Sequence, residues 1–558
     1  KFTGLALRSL GLEKGDVVSI ASEGIPEWLF TDMGTIGAGG ISSGIYTTDS
    51  AAQVKYLVND SKTKFYFAEN EEQLDKILEV RNECPSLKKI IVYDMEGLND
   101  FKDDQVLSYE EFIQLGKKLD SDQPNLWLQS INSVEANDIA ILVYTSGTTG
   151  PSKGAMINHK NLLYSVNTGV EIFEAREHEE QLSFLPLCHI LERSVSVMFP
   201  LKTGAVVNFA ESIDTVPENI REVSPTVFVA VPRIWEKFYS SITILMKDAT
   251  FIGKYFYNLS INTGAKYKEY FIEGKEPPLK LKLMFWICNQ LVLKNIKKLL
   301  GLNNCRYALS GAAPISPELI NWYLSLGIDM REGWGMTETA GVGTAFYSRE
   351  IKLGHVGRAV NNSEVRIADD GEILFKGPGV FCGYLNKPEQ TNETLIDGWL
   401  YTGDVGEMDN YGNIKITDRK KDIIITAGGK NISPSEIENE LKFSPFVSDA
   451  VVIGDKRKFL SCLIMIDEEN VMKFAQDNDI PFSNFESLCK SKQIIDLIDG
   501  EVSKVNKKFA SVEQVKKFSL IDIQLTAEDD ELTPTMKLKR KFINEKYSNI
   551  IENMYQSA

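Results

Sequence analysis

From Val17 to about Tyr93 the chain alternates between short apolar runs and longer amphipathic ones. VVSIA and KFYFA read as strands, PEWLFTDMGTIGAGG reads as a helix, and the rhythm predicts a βαβ sheet. KFTGLALRSL, at the start, reads as a helix running into a turn at Gly15-Asp16. With that helix beginning at Lys1 and no leader ahead of it, the expectation is a fragment whose true N-terminus is missing. The polar stretch 94–137 predicts an irregular connector with some helix. IAILVY, Ile139 to Tyr144, is apolar without alternation, the pattern of a strand buried on both faces. Alternation resumes in LSFLPL, AVVNFA and TVFVAVP. Residues 235–300 predict long helices rich in Phe, Tyr and Lys, and RYALSG predicts a further strand. A small β-rich unit is expected over 354–418, with turns at Asp370-Gly371, Asp397-Gly398 and Asn410-Tyr411-Gly412. The charged DRKKD stretch predicts a hinge at 418–422, dividing residues 1–418 from a compact α/β tail, 419–558.

Composition narrows the class. A chain of 558 residues is too long for one core. Its 43% hydrophobic and 25% charged residues are ordinary for a soluble globular protein. The formal net charge of −17 argues against a nucleic-acid partner, so any polyphosphate must be met by local donors and single cations. Seven scattered cysteines, an odd number and never in CxxC spacing, indicate neither a disulfide framework nor a zinc site, and fit a reducing, cytoplasmic compartment. No apolar run is long enough to span a bilayer. LMFWIC at 283–288, flanked by Lys280, Lys282, Lys294, Lys297 and Lys298, allows two readings. It is either a helix lying peripherally on a membrane or one packed on the domain with its lysines in water.

The candidate chemistry begins at YTSGTTGPSKG, residues 144–154. Glycines let backbone N–H groups approach a ligand, while Thr145, Ser146, Thr148, Thr149 and Lys153, set among Gly147 and Gly150, supply hydroxyls and one cation. That suits phosphate. A Walker loop is ruled out, because Lys153 is preceded by Ser152 and followed by Gly154. SGAAP at 310–314 and GWGMTET at 333–339 each follow an apolar stretch, where ligands collect at strand carboxyl ends. Trp334 offers a flat face to a purine, Thr337 a hydroxyl for phosphate and Glu338 a hard oxygen for Mg2+. In YTGDVG, Asp404 has two acceptor oxygens for ribose hydroxyls, and Arg419 is a donor-only fork. TPTMKLKRK at 533–541 puts Lys537 in a basic turn able to reach developing negative charge. Singly, Glu338 reads equally as a solvated helix residue, Asp404 as a turn former and Lys537 as surface charge; the weight lies in their combination.

TSGTTGPSKG, GWGMTE, YTGD, DRKKD and PTMKLKR, in this order over nearly the whole chain, resemble the adenylate-forming superfamily of acyl-CoA synthetases. VPRIWEK at 231–237, IITAGGKN at 424–431 and PTMKLKRK resemble its long-chain fatty acyl-CoA synthetases, particularly the bubblegum type. The resemblance implies a large N-terminal part of stacked αβ subdomains with a β-barrel-like piece, and a small mobile α+β C-terminal domain. It implies ATP-dependent activation of a long-chain fatty acid to an acyl-adenylate, then transfer to coenzyme A with release of AMP. Its phosphate loop falls on Thr145 to Gly154, its adenine segment on Gly311, Ala312 and Pro314, and Gly333, Trp334, Gly335 and Met336 lie against the base. Glu338 is implied for Mg2+, Asp404 for ribose, Arg419 for the hinge arginine, and Gly428-Gly429-Lys430 for the pantetheine tunnel. Lys537 takes the catalytic lysine's place, but its frame lacks the family's Ser-Gly pair, which leaves Lys539 as an alternative. His189, in FLPLCHILE, matches an acyl-pocket position and reads equally as a packed core histidine. Two rivals stand: an acyl-AMP ligase that loads a carrier protein, and a non-catalytic nucleotide- or acyl-binding protein, the second of which should lack Glu338 or Lys537.

Overall fold

The computed structural model describes residues 1–145, 151–347, 351–523, 531–532 and 538–556. Strands β1 (Val17–Ala21), β2 (Ile41–Ile45), β3 (Phe65–Ala68), β4 (Lys89–Val92), β5 (Val106–Ser108), β6 (Ile139–Thr145) and β7 (Lys153–Asn158) form one sheet. Its order is β5-β4-β3-β1-β2-β6-β7, all parallel except β7, which returns antiparallel beside β6. The uninterrupted apolar runs are explained by burial on both faces: every residue of VVSIA and FYFA is buried. The connector 94–137 is more ordered than its polarity suggests. It holds β5 and the helices Tyr109–Asp122 and Leu126–Asn132, the first opened by a capping box between Ser108 and Glu111.

Strands β8 (Glu180–Ser183) and β9 (Val206–Phe209) pair in parallel. LSFLPL is a strand only as far as Ser183, because Pro186 cannot donate to a ladder; Phe184 and Leu187 are buried nonetheless. A third unit is parallel throughout, with β10 (Val227–Ala230), β11 (Tyr307–Ser310) and β12 (Met330–Glu332) side by side. The helical stretch between β10 and β11 covers it. Trp235 is fully buried there, its indole N–H donating to the Ala230 carbonyl at 3.2 Å, and Tyr323 donates to the Trp235 carbonyl at 2.7 Å.

The short pair β13 (Thr344–Ala345) and β14 (Arg358–Ala359) leads into the small β-rich unit. That unit is an antiparallel sheet of β15 (Glu364–Ile367), β16 (Glu372–Lys376), β17 (Leu395–Ile396), β18 (Trp399–Met408) and β19 (Ile414–Arg419). Beyond it come the hairpin β20 (Ile424–Ile425) and β21 (Asn431–Ile432), then the sheet of β22 (Val447–Ile453), β23 (Leu460–Ile466) and β24 (Val515–Leu520). Two buried apolar clusters in this last part draw only on residues from Ile424 onward, so the C-terminal part has its own core. It rests on the helix Pro232–Lys247, where Tyr239 stacks on Phe443 with centroids 4.8 Å apart and Asn470 donates to the Ser240 hydroxyl at 2.7 Å.

Packing of the helical stretch is tightest at Gly264, in the helix Phe251–Ile272, where a Cβ would stand 1.9 Å from the Ser325 carbonyl oxygen. Gly264→Ala is expected to cost about 1–3 kcal/mol or more through overpacking, seen as a lower thermal midpoint. Gly500→Ala, where a Cβ meets nothing within 4 Å, is the matched control. It should gain about 0.5–1 kcal/mol from helix propensity.

Candidate active site

The carboxyl ends of β10, β11 and β12 release three segments toward one space: Val231 to Arg233, Gly311 to Pro314, and Gly333 to Glu338. Together with β6, β7, β18 and residues of the C-terminal part they line a cavity of about 1910 Å3. A crevice at the ends of parallel strands is where open α/β sheets bind their ligands. Two features fix the segments after β11 and β12 to each other. The Gly333 N–H donates to the Ser310 carbonyl at 3.1 Å, and the Ile315 N–H donates to the Glu332 carboxyl, which burial pushes up to about 8. Ala312 adopts a left-handed φ of 68°, and a Cβ at Gly335 would lie 2.3 Å from the Gly341 carbonyl oxygen.

Thr145 and Lys153 face each other across the β6–β7 ladder, at the mouth of the glycine-rich loop. Ser146, Gly147, Thr148, Thr149 and Gly150 lie outside the described residues. Behind the loop, Tyr56 donates to the Ser152 carbonyl at 2.9 Å and Tyr144 donates to Asp60 at 2.9 Å. The Lys153 ammonium stands 5.0 Å from the ring centroid of Tyr384, whose hydroxyl donates to Glu338. Burial, and then the neighbouring carboxylate, hold the Tyr384 phenol well above its ordinary pKa, so it stays a donor. Thr337 and Glu338 sit in a single 3-10 turn, Thr337–Thr339, both buried at the cavity wall.

Trp334 is held rather than free. Its indole N–H donates to Asp404 Oδ2 at 2.8 Å, and a Cβ at Gly343 would meet its ring at 2.4 Å. Asp404 Oδ1 pairs with Arg419 Nε at 2.7 Å, and the two residues face each other across the β18–β19 ladder. A carboxylate, a fork of guanidinium donors and an indole edge thus converge beside the segments after β11 and β12.

His189 caps a short helix, Ile190–Arg193: its Nδ1 accepts the Leu191 N–H at 3.3 Å, while the residue also lines the cavity. The residue is half-buried, so it is an N-cap at the cavity wall rather than a packed core histidine. From the C-terminal part, Lys539, Arg540 and Lys541 reach the cavity wall. Arg540 is locked to Glu438 by bonds of 2.8 and 2.9 Å, and the Lys539 N–H donates to the Glu531 carbonyl at 2.7 Å. Lys537 lies outside the described residues. Gly428 and Gly429 form an exposed turn closed by the Gly429 N–H to the Thr426 carbonyl at 2.8 Å, away from the cavity wall.

The link between the parts is specific. Asp418, in β19, accepts from the Ser433 hydroxyl at 2.8 Å, the Ser435 N–H at 3.0 Å and the Ser435 hydroxyl at 2.9 Å, so it caps the helix Pro434–Lys442. Lys420 pairs with Asp370 at 2.6 Å and Glu372 at 2.9 Å.

A family model described as "AMP-binding enzyme" matches residues 3–385, and one described as "AMP-binding enzyme C-terminal domain" matches 421–558. The chain belongs to the AMP-binding enzyme family. It is 34% identical over 556 residues to long-chain-fatty-acid–CoA ligase FadD15 of Mycobacterium bovis, covering 99% of this chain and 90% of that one. It is also 34% identical over 581 residues to long-chain-fatty-acid–CoA ligase ACSBG2 of Xenopus laevis, covering 98% and 77%. Among solved structures it matches the anthranilate CoA ligase AuaEII in complex with anthranoyl-AMP, with a TM-score of 0.73 at 20% identity over 99% of this chain and 91% of that one. That likeness shows the fold of an AMP-binding enzyme: a large part of stacked sheets and a smaller C-terminal part.

Sequence reasoning missed Tyr384 and Glu332. Tyr384 lies 46 positions beyond Glu338 in GYLNKPEQ, with no local pattern to join them. Glu332 reads as an ordinary strand end, and only its depth sets it apart.

Proposed function

We propose that this AMP-binding enzyme activates a long-chain fatty acid with ATP and transfers the acyl group to coenzyme A. The observation that carries the reading is the convergence, on one cavity, of Lys153, Tyr384 and Glu338 with Trp334 and Arg419, the last two joined through the buried Asp404, and of Lys539 from the C-terminal part. The first three suit the phosphates, and Trp334, Asp404 and Arg419 the adenosine. The two long-chain-fatty-acid–CoA ligases above support the substrate class.

In the first half-reaction the carboxylate attacks the α-phosphorus in line and pyrophosphate leaves, giving the acyl-adenylate. Thr145, Lys153, Thr337 and the loop 146–150 would hold the phosphates, Asp404 the ribose, and Gly311, Ala312, Gly333, Trp334, Gly335 and Met336 the base. Among the described residues no group of three or more His, Cys, Asp or Glu side chains could hold a metal ion. Mg2+ would rest on Glu338, phosphate oxygens and water, the donor set this ion ordinarily takes. When bound it supplies charge neutralisation on the phosphates. Lys537, on the same tail as Lys539, would neutralise charge at the attacking and α-phosphate oxygens. Closure by the C-terminal part keeps water from the adenylate.

In the second half-reaction the thiol sulfur attacks the acyl carbon and AMP departs. The arrangement described here, with residues 538–542 on the cavity and Gly428-Gly429 outside it, suits the first step. The second needs the part beyond 418–422 to rotate and bring the glycines inward, where the absence of a Cβ leaves room for a narrow chain. Lys421→Pro, which fixes φ at this link, is expected to slow thioester formation from synthetic acyl-adenylate more than it slows pyrophosphate exchange. Equal loss in both would remove the hinge from this position.

Substrate class is tested directly by competition between fatty acids. Each buried CH2 is worth about 0.8 kcal/mol, so a deep tunnel should favour chains of roughly sixteen carbons over eight by at least about tenfold in kcat/KM. Equal use of octanoate and palmitate would overturn the long-chain assignment. Seven free cysteines, five of them buried, suit a cytoplasmic setting. No helix among the described residues is long and apolar enough to cross a membrane.

A further inference from the structure

The helices Phe251–Ile272 and Leu279–Cys288 pack as a hairpin, with Tyr267 stacked on Phe285 at 4.2 Å between centroids and 10° between planes. The second helix runs on through a π turn, Asn289–Leu293, into Lys294–Leu299. Its inner face carries Cys288, Leu293 and Ile296, all buried. The outward face is apolar as well. Leu279, Leu283, Trp286 and Leu291 recur at helical spacing and are 84%, 60%, 59% and 62% exposed. Phe251, at the start of the partner helix, is 85% exposed. An outward ladder of large apolar side chains is what a helix shows when something other than water covers it.

Charge identifies the cover. Residues 251–300 hold nine lysines and three glutamates, on a chain whose formal net charge is −17. The exposed Lys280 stands beside Leu279 at one end of the ladder, and the exposed Lys294 and Lys298 stand at the other. A second copy of the chain would fit poorly, because a two-fold pairing of this face would bring the lysine ends together. An anionic lipid surface satisfies both features: headgroups meet the lysines while Leu283 and Trp286 enter the headgroup–acyl boundary. The rest of the molecule, being acidic, is repelled, so the protein would dock in one orientation.

We propose that the hairpin 251–299 is a docking face for anionic bilayers, with Leu283 and Trp286 as apolar anchors and Lys280, Lys294 and Lys298 as its electrostatic contacts. Docking here is independent of the catalytic reading, since none of these residues lines the cavity. The experiment is co-sedimentation of the full chain with phosphatidylcholine vesicles, with and without phosphatidylserine. The parent should bind the anionic vesicles at least about tenfold more strongly than the neutral ones, given roughly fivefold in partitioning for each lysine near such a surface. Leu283→Glu with Trp286→Glu should abolish binding. Lys280→Glu with Lys294→Glu and Lys298→Glu should remove the preference for phosphatidylserine. Both variants should retain the parent's thermal midpoint and pyrophosphate exchange with octanoate. Equal binding of the parent to the two vesicle types, anionic binding that survives the Leu283 and Trp286 changes, or a phosphatidylserine preference that survives the lysine changes, would overturn the proposal. So would a parent dimer, measured by light scattering, that the Leu283 and Trp286 changes convert to monomer with no vesicle binding by either form.

Discussion

Glu338→Gln is expected to lower pyrophosphate exchange by about a hundredfold or more, the scale on which a lost transition-state charge contact is felt. The carboxylate is buried at the cavity wall and Tyr384 donates to it. Glutamine keeps the volume and an acceptor oxygen, so the loss reports charge rather than packing. Tyr384→Phe separates binding the cation from holding its ligand. Without the hydroxyl, Glu338 loses the bond that orients it. Half-maximal Mg2+ should then rise several-fold with a smaller loss in maximal rate, since supporting residues around metal ligands act chiefly on affinity. A Glu338→Gln enzyme within threefold of the parent would take the metal role from this residue.

Lys537→Ala should lower pyrophosphate exchange by about two orders of magnitude, equivalent to about 2.7 kcal/mol of transition-state stabilisation, while ATP affinity stays within about twofold. The described residues that follow it are anchored. Leu538 bridges to Leu532, Lys539 is tied through its backbone to Glu531, and Arg540 is held by Glu438. Lys539 reaches the cavity wall, close enough to the Asp49 carboxyl to act on it. Burial pushes that carboxyl up to about 6, against the pull of a backbone N–H and then of Lys76 and Lys539. Lys539→Ala is therefore expected to change exchange only a few-fold, by loosening closure. If the two variants exchange these effects, the catalytic lysine is Lys539.

The parts of the fold that the sequence announces are those where burial leaves a local imprint. VVSIA, FYFA and IAILVY are apolar because both faces of their sheet are covered, and each is a strand. The motif segments after β6 and β12 are legible because glycine, hydroxyl and charge are packed into a few consecutive residues. Contacts between distant positions leave no such imprint. Nothing near Asp404 points to Trp334, 70 positions earlier, as its hydrogen-bond donor. The segment 283–288 was ambiguous for a different reason. With Cys288 inward and Leu283 and Trp286 outward, apolar residues occupy both sides of the helix, and periodicity loses its sense of direction.

Asp418 has its backbone in one half of the molecule and its carboxylate on the other. Paired with Val405 across β19 and β18, it also accepts the Ser435 N–H at the head of the helix Pro434–Lys442. Turning the C-terminal part about 418–422 would uncap that helix, and a lost cap of this kind is worth about 0.5–2 kcal/mol. Taken alone, that contact corresponds to a ratio of populations between a few and a few tens, small beside the binding energy of a nucleotide or a thioester product. In the proposed rotation it would be one weight among several, beside the Tyr239–Phe443 stack and the Asn470–Ser240 bond. A reactant in the cavity would tip that balance only by as much as it binds one arrangement better than the other.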